Sequence, residues 1–313
     1  MSAARPLRLA VVGLGDIATK AYLPVLAATA GVEIVPCTRD RARRAALAAQ
    51  YRLGPGVDDV AGLADLGHRV DAAFVHVATS AHEAVVGALL AQGLPVFVDK
   101  PLADTLAACE RLAEAARMHG VPLMVGFNRR FAPRVRAMAG VDGRSLVRLD
   151  KHRAALPDTL RRVVFDDFIH VVDTLRFLAP GPVQDIAIHG VVDDAGRLRQ
   201  VSLRLQGAGF RLDGSMHRDA GAAEEWLEVV APGHTWRIEG LSTLTHGHQG
   251  AWVRHQFGDW EPVLWRRGFP QMVGHFLAAV RGEAPLAQAL DDALATHALC
   301  EEIVDRLAPP PAG

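Results

Sequence analysis

Residues Leu7–Val12 read LRLAVV, a short apolar run that stops at Gly13-Leu14-Gly15 and gives way to helical spacing over 17–28. An apolar strand turning through glycines straight into a helix is the opening of a βαβ unit, and it constrains the fold more than any other feature of the chain. The rhythm continues. Strands are predicted at 33–38, 72–77, 95–98 and 123–125, with helices between them at 39–51, 82–91 and 105–119, the middle one capped by Ser80. Short strands alternating with longer helices specify a doubly wound parallel sheet.

After Pro122 the pattern changes. A markedly apolar helix is predicted over 165–178, and period-two runs follow one another: Val201, Leu203 and Leu205; Phe210 and Leu212; Trp226 to Val230; Trp236 and Ile238. Strand after strand without intervening helix implies a large, open, mainly antiparallel sheet with one buried face, closed by helices at 271–280 and 287–307. The expected organisation is therefore a parallel-sheet domain over 1–122 and an α+β substrate-binding and oligomerisation domain over 123–313. There is no internal repeat and no low-complexity linker.

Composition narrows the function. In 313 residues half are hydrophobic and the formal net charge is −1, so there is no electrostatic reason to expect nucleic acid or a membrane surface as partner. No apolar run approaches a spanning helix, and residues 1–7 are too short and unpatterned for a signal peptide. Three cysteines (Cys37, Cys109, Cys300) without CxxC spacing fit reduced thiols in a cytoplasm. Of the 34 basic residues only Lys20, Lys100 and Lys151 are lysine, so each lysine invites a specific question. Lys20 reads as surface.

Gly13-Leu14-Gly15-Asp16-Ile17-Ala18 follows a strand and opens a helix, the setting in which a G-x-G-x-x-A run binds a dinucleotide. Gly13 permits the tight turn, Gly15 lets the backbone approach a pyrophosphate, and Ala18 keeps helix and strand close. The alternative is a turn that merely packs a helix on a sheet. An acidic residue at the end of the second strand would bind the ribose 2′-hydroxyl of NAD; here Thr38-Arg39 stands instead, which suits the 2′-phosphate of NADP. Arg39 as an ordinary solvated helix-start residue is the competing reading.

Four segments resemble the Gfo/Idh/MocA family of glucose-fructose oxidoreductase and inositol dehydrogenase relatives: residues 13–18, 98–103 (VDKPLA), 125–133 (VGFNRRFAP) and 166–173 (DDFIHVVD). With the runs DKHR and MHR they look like its MviM-like subgroup. The resemblance implies that Lys100, in the position of the family's E-K-P lysine, sits beside the nicotinamide and binds the reacting substrate oxygen. It also implies a catalytic Asp166 and a proton-accepting His170, whose imidazole suits that exchange near neutral pH. A lysine just past a strand end lies where open α/β sheets bind ligands, and its ammonium can stabilise a developing alkoxide. Asp166, His170 and Asp173 share a helix face, with Asp167 as a rival for Asp166. A helix ion pair is the bland reading of that pattern.

Asp99 is one methylene shorter than the family glutamate, and Phe168 replaces a glycine of many relatives, which implies a narrower pocket floor. Thr79 and His82 fall where the family has a loop near the cofactor, and Asn128 and Arg129 could reach the nicotinamide or substrate, with a structural arginine an equal reading. Lys151-His152-Arg153 and His217-Arg218 lie on strands and are candidates to line the pocket. His246-Gly247-His248 reads as a solvated loop, and no metal is predicted. The expected activity is NADP- or NAD-dependent hydride transfer to or from a sugar, polyol or similar small molecule, in a homodimer or dimer of dimers. The alternative, a non-catalytic NAD(P)-binding sensor, has no need of both Lys100 and His170.

Overall fold

The structure, a computed structural model, describes residues 5–65, 70–286 and 289–308. The expectations for residues 1–4 and for a helix beginning at 287 fall outside these. The chain divides into two compact units, one running to Gly126 and including Phe269–Leu294, the other made of Phe127–Gly268 and the residues from Ala295 onward.

The first unit holds a five-stranded parallel sheet of β1 (Leu7–Val12), β2 (Val32–Cys37), β3 (Ala72–Val75), β4 (Val96–Asp99) and β5 (Leu123–Gly126), in the order β2-β1-β3-β4-β5. Leu9–Val12, Ala72–Val75 and Val96–Val98 are buried throughout, as strands covered on both faces must be. Helices Arg41–Tyr51, His82–Ala91 and Leu106–His119 connect the strands. Asp40 caps the first of these by accepting from the Arg43 amide, and Thr105 caps the last. Ser80 does not cap the middle one, because Thr79–Ala81 form a 3₁₀ turn that runs straight into it.

Two expectations are corrected here. The helix predicted over 17–28 is split into a π turn, Ala18–Tyr22, and an α-helix, Leu23–Ala28, which carries Pro24 in its first turn. Proline cannot donate and crowds the carbonyl four residues back, and the wider turn immediately before it accommodates both. The boundary is not at 122/123. Leu123–Gly126 pairs in parallel with Val96–Asp99, so β5 is the last strand of this sheet. Helix Phe269–Val280 also belongs to this unit: Phe269 meets Tyr22 edge-on, and Phe276 meets Phe74 and Phe97.

The second unit is built on a nine-stranded sheet of β6 (Leu146–His152), β7 (Asp158–Thr159), β8 (Val183–Val192), β9 (Arg197–Gly207), β10 (Phe210–His217), β11 (Glu224–Ala231), β12 (His234–Glu239), β13 (Thr243–His248) and β14 (Ala251–His255). The order is β14-β13-β12-β11-β6-β10-β9-β7, with β8 on the other edge of β9, and only β6 and β10 pair in parallel. One face is apolar and carries Val147, Leu149, Leu203, Leu212 and Val229, and helix Ile169–Leu178 packs against its β6 and β10 strands. Gly214 of β10 makes that packing possible, since a Cβ there would lie 2.5 Å from Val171 Cγ1 and 2.7 Å from Leu175 Cδ1. The opposite face is charged, with Arg204 and Arg211 on Asp213, and Arg148 and Arg237 on Glu228.

His246 and His248 lie in a strand, not a solvated loop. Their rings stack with His234, whose ring is 4.1 Å from that of His248 with 4° between the planes, and Trp236 continues the row over His246. All three cysteines are buried thiols outside any disulfide. No helix among the described residues is long and apolar enough to cross a membrane.

Candidate active site

The glycine turn sits at the carboxyl end of β1. Gly13 has φ +86°, and a Cβ on it would lie 2.7 Å from Val77 N and 2.8 Å from the His76 carbonyl carbon, so only glycine lets this turn rest on the backbone following β3. Gly15 differs: the nearest atom to a Cβ there is 4.0 Å away. Packing within the protein does not demand glycine at that position, and the space kept open is what a pyrophosphate approaching the backbone requires. Ile17 remains 37% exposed on the turn, and Asp16 pairs with Lys20 one helical turn on, at 2.7 Å.

Beyond β2, Thr38 donates its amide to Val57, and its carbonyl accepts from Arg44, while Arg41 and Arg44 are both held by Asp58. Arg39 is exposed. Arg43, which lies outside the Thr38-Arg39 motif, is close enough to Asp16 to help hold its carboxyl below the usual range, although Lys20 does most of that. Arg39 and Arg43 are therefore the guanidinium groups at this strand end that Asp58 does not occupy.

The ends of β3 and β4 carry the next group. The ring nitrogens of buried His82 lie 2.8 Å from the Pro101 carbonyl and 3.1 Å from that of Val77, so His82 braces the two loops together rather than facing outward. Thr79 is half-buried in the 3₁₀ turn between them. Lys100 is half-buried directly after β4. Beside it, the Asp99 carboxylate accepts from the Tyr22 hydroxyl at 2.7 Å. Burial pushes the Asp99 carboxyl up, against the opposing pull of Lys100 and of the Tyr22 hydrogen bond. Tyr22 stacks on His76, with centroids 4.0 Å apart, and burial with His82 nearby drives that imidazole down to about 3, leaving it neutral.

In the second unit, the helix carrying Asp166 and His170 is not one continuous α-helix. Leu160–Val163 leads into a π turn, Val164–Phe168, before Ile169–Leu178. Such turns insert a residue into the helical ladder and recur at functional sites. Here the turn separates the two adjacent aspartates. Asp167 is directed into the sheet, where it accepts from Lys151, from Arg153 at 2.7 Å through both Nε and Nη2, and from Arg218 at 2.5 Å. Burial opposes its charge, but these cations hold the carboxyl well below the usual range. A carboxylate so bound is a poor base, which removes Asp167 as rival to Asp166. Asp166 has Arg162 at 3.7 Å and a side chain 38% exposed; His170 is half-buried.

Asp173 does not belong to this edge. It is 1% exposed, bound by Arg130 at 2.6–3.1 Å and by Thr296 at 3.2 Å. Asn128 and Arg129 are likewise engaged inside the unit. The Asn128 amide nitrogen donates to Arg267 O at 2.9 Å and its oxygen accepts from Arg129, which grips Glu225 at 2.6 and 2.7 Å. Both ends of the Asn128 amide are thus used structurally.

Residues 7–127 match the oxidoreductase family with an NAD-binding Rossmann fold named for Gfo, Idh and MocA, and residues 135–249 match a YceM-like C-terminal domain. The Salmonella typhimurium protein YceM, described as an oxidoreductase, is 36% identical over 312 residues, which span 95% of this chain and 100% of YceM. The chain belongs to the Gfo/Idh/MocA family. A Clostridium difficile dehydrogenase structure, MviM, superposes with a TM-score of 0.91 at 31% identity, covering 96% of this chain and 99% of that one. Myo-inositol dehydrogenase Hyg17 of Streptomyces leeuwenhoekii is 36% identical over 193 residues, 58% of each chain.

As a Gfo/Idh/MocA protein this chain is an NAD(P)-dependent oxidoreductase acting on CH–OH groups. Its departures from the family pattern have local explanations. The shorter Asp99 is met by the Tyr22 hydroxyl, a partner the motif alone gave no signal for. Phe168 is fully buried, so its ring fills the core under the π turn.

Proposed function

We propose that the protein moves a hydride between NADP and the hydroxyl-bearing or carbonyl carbon of a sugar, polyol or related small polar substrate. The polyol reading is supported by the likeness to myo-inositol dehydrogenase Hyg17. Bound NADP supplies or accepts the hydride. The chain does the rest. The turn of Gly13, Gly15, Asp16 and Ile17 holds the pyrophosphate; Thr38 and Arg39, joined by Arg43, receive the 2′-phosphate; Thr79, Asp99 and Lys100 flank the nicotinamide.

Lys100 donates to the substrate oxygen and stabilises the charge that grows on it. His170 takes the hydroxyl proton in oxidation and returns it in reduction, and Asp166 orients either the imidazole or a neighbouring substrate hydroxyl. The observation that carries this reading is the space at Gly15, open to a depth no packing contact explains, on the same sheet edge as a lysine in an arginine-rich chain. Mass spectrometry of protein purified without added ligand tests it: a retained dinucleotide phosphate is expected, and retained NAD alone would remove the 2′-phosphate assignment.

The charged outer face of the nine-stranded sheet supports a homodimer or dimer of dimers, because alternating Arg and Asp/Glu rows are self-complementary about a two-fold axis. Three buried thiols outside disulfides suit a cytoplasmic location.

A further inference from the structure

The third lysine of the chain lies where an alternating strand puts apolar residues. On β6, Val147, Leu149 and Lys151 face inward, and Lys151 stands opposite Glu225 of β11. Four cations converge there: Lys151, Arg153 and Arg218 on Asp167, and Arg129 on Glu225. Side-chain exposures are 3%, 34%, 5% and 7% for the cations, against 14% and 15% for the two carboxylates. Within this cluster four cationic groups face two carboxylates, a surplus of two when Lys151 is protonated, which an added anion would relieve.

The surplus opens onto a cavity. A pocket of about 900 Å³ in this unit is lined by Arg129, Arg153, Glu225 and Arg267, with Glu224 and Glu239 also on its wall and the ion-paired Arg148, Glu228 and Arg237 of the outer face at its other side. Arg267 is exposed and makes no ion pair within 4 Å among the described residues, although its charge acts on Glu225. Glu224 and Glu239, equally without ion pairs there, are placed to accept from hydroxyl groups. We propose that this cavity seats the anionic group, a carboxylate or a phosphate, of a hydroxylated substrate, between Arg153 and Arg267 over the Lys151–Asp167 cluster.

Asp167, which anchors the cluster, is the next residue in sequence to Asp166 of the proposed proton-transfer pair. Identifying the bound anion with the substrate rests on the hydride-transfer reading above; the seat itself does not. The lysine reports its occupancy. Burial, then Arg129 and Arg153, push the Lys151 ammonium down to about 7, with Asp167 and Glu225 pulling the other way and Arg218 a further cation on Asp167. An added anion favours the charged lysine, so binding near pH 7.5 takes up a proton.

Isothermal titration of the intact protein with inorganic phosphate, D-gluconate and neutral myo-inositol, at matched ionic strength and in buffers of differing ionisation enthalpy, tests the proposal. Phosphate or gluconate should bind with proton uptake and at least tenfold more tightly than myo-inositol. The tighter of the two anions identifies the group. Arg267→Gln, at an exposed position, should weaken anion binding about tenfold and leave NADPH binding unchanged; Arg153→Gln should do the same if it folds. Equal affinity for gluconate, phosphate and myo-inositol, or anion binding indifferent to Arg267→Gln, overturns the seat. Anion binding that persists in a protein with no NADPH affinity would instead retain the seat and remove the hydride-transfer reading.

Discussion

Replacing Asp167 by asparagine removes the one carboxylate shared by Lys151, Arg153 and Arg218 while keeping its shape. Breaking a buried ion pair by deleting one partner costs about 3–5 kcal/mol. The lower end applies here, because Lys151 is already pushed down to about 7 and can shed its proton to relieve the uncompensated charge. At roughly 2–4 °C per kcal/mol for a unit of this size, the melting temperature should fall by roughly 6–12 °C at pH 6.5. Asp166→Asn, whose neighbour Arg162 is 3.7 Å away on the surface, should shift stability by no more than about 0.5 kcal/mol. The penalty at Asp167 should also shrink at pH 9. A lysine with a depressed folded pKa binds fewer protons folded than unfolded, so stability rises with pH between about 7 and the ordinary 10.5. Differential scanning calorimetry at the two pH values reads all three numbers. If Asp167→Asn melts within about 1 kcal/mol of the parent, the cluster does not depend on this carboxylate, and Asp167 returns as a candidate base.

Arg39→Asp should abolish a preference for NADPH over NADH in fluorescence titration; equal affinities in the parent would remove the argument from Thr38-Arg39. Burial works against the Glu225 carboxylate, but Arg129 first, with Lys151 and Arg267, holds it down to about 2 from the ordinary 4.5. That stability is present above 4.5 and lost as pH falls toward 2, about 3 kcal/mol in all, and Arg129→Met should flatten this part of the acid-denaturation curve. Light scattering at micromolar protein should report at least twice the 33.6 kDa chain mass, and a mass near 33.6 kDa would contradict the dimer.

The parallel-sheet half was readable because its signals are local: β1 ends in glycines, and Asp40 and Thr105 sit at helix starts they do cap. The second sheet was harder. β8 has a mixed pattern of exposure, and β14 is exposed along its length, so neither presents the alternation that marks a half-buried strand. His246 and His248 read as loop because polar residues in a strand stabilised by ring stacking carry no hydrophobic period. The site divides the same way. The tight turn at Gly13 and the position of Lys100 directly after β4 were legible from motif and context. The separate fates of Asp166 and Asp167 depend on a π turn, and the role of Tyr22 on a contact spanning 77 positions, neither of which spacing encodes.

The central claim is the division of labour between Lys100 and His170, and it is tested by measuring turnover and NADPH affinity together in Lys100→Met and His170→Ala on a substrate that the parent protein turns over. The phosphate contacts proposed above reside in the Gly13–Gly15 turn, so NADPH binding should stay near that of the parent. Turnover should fall by roughly 10²–10⁴-fold in each variant, the contribution of a positioned proton-transfer group or a charge-stabilising donor. A folded His170→Ala protein retaining full turnover would contradict the account and leave Asp166 as the leading base.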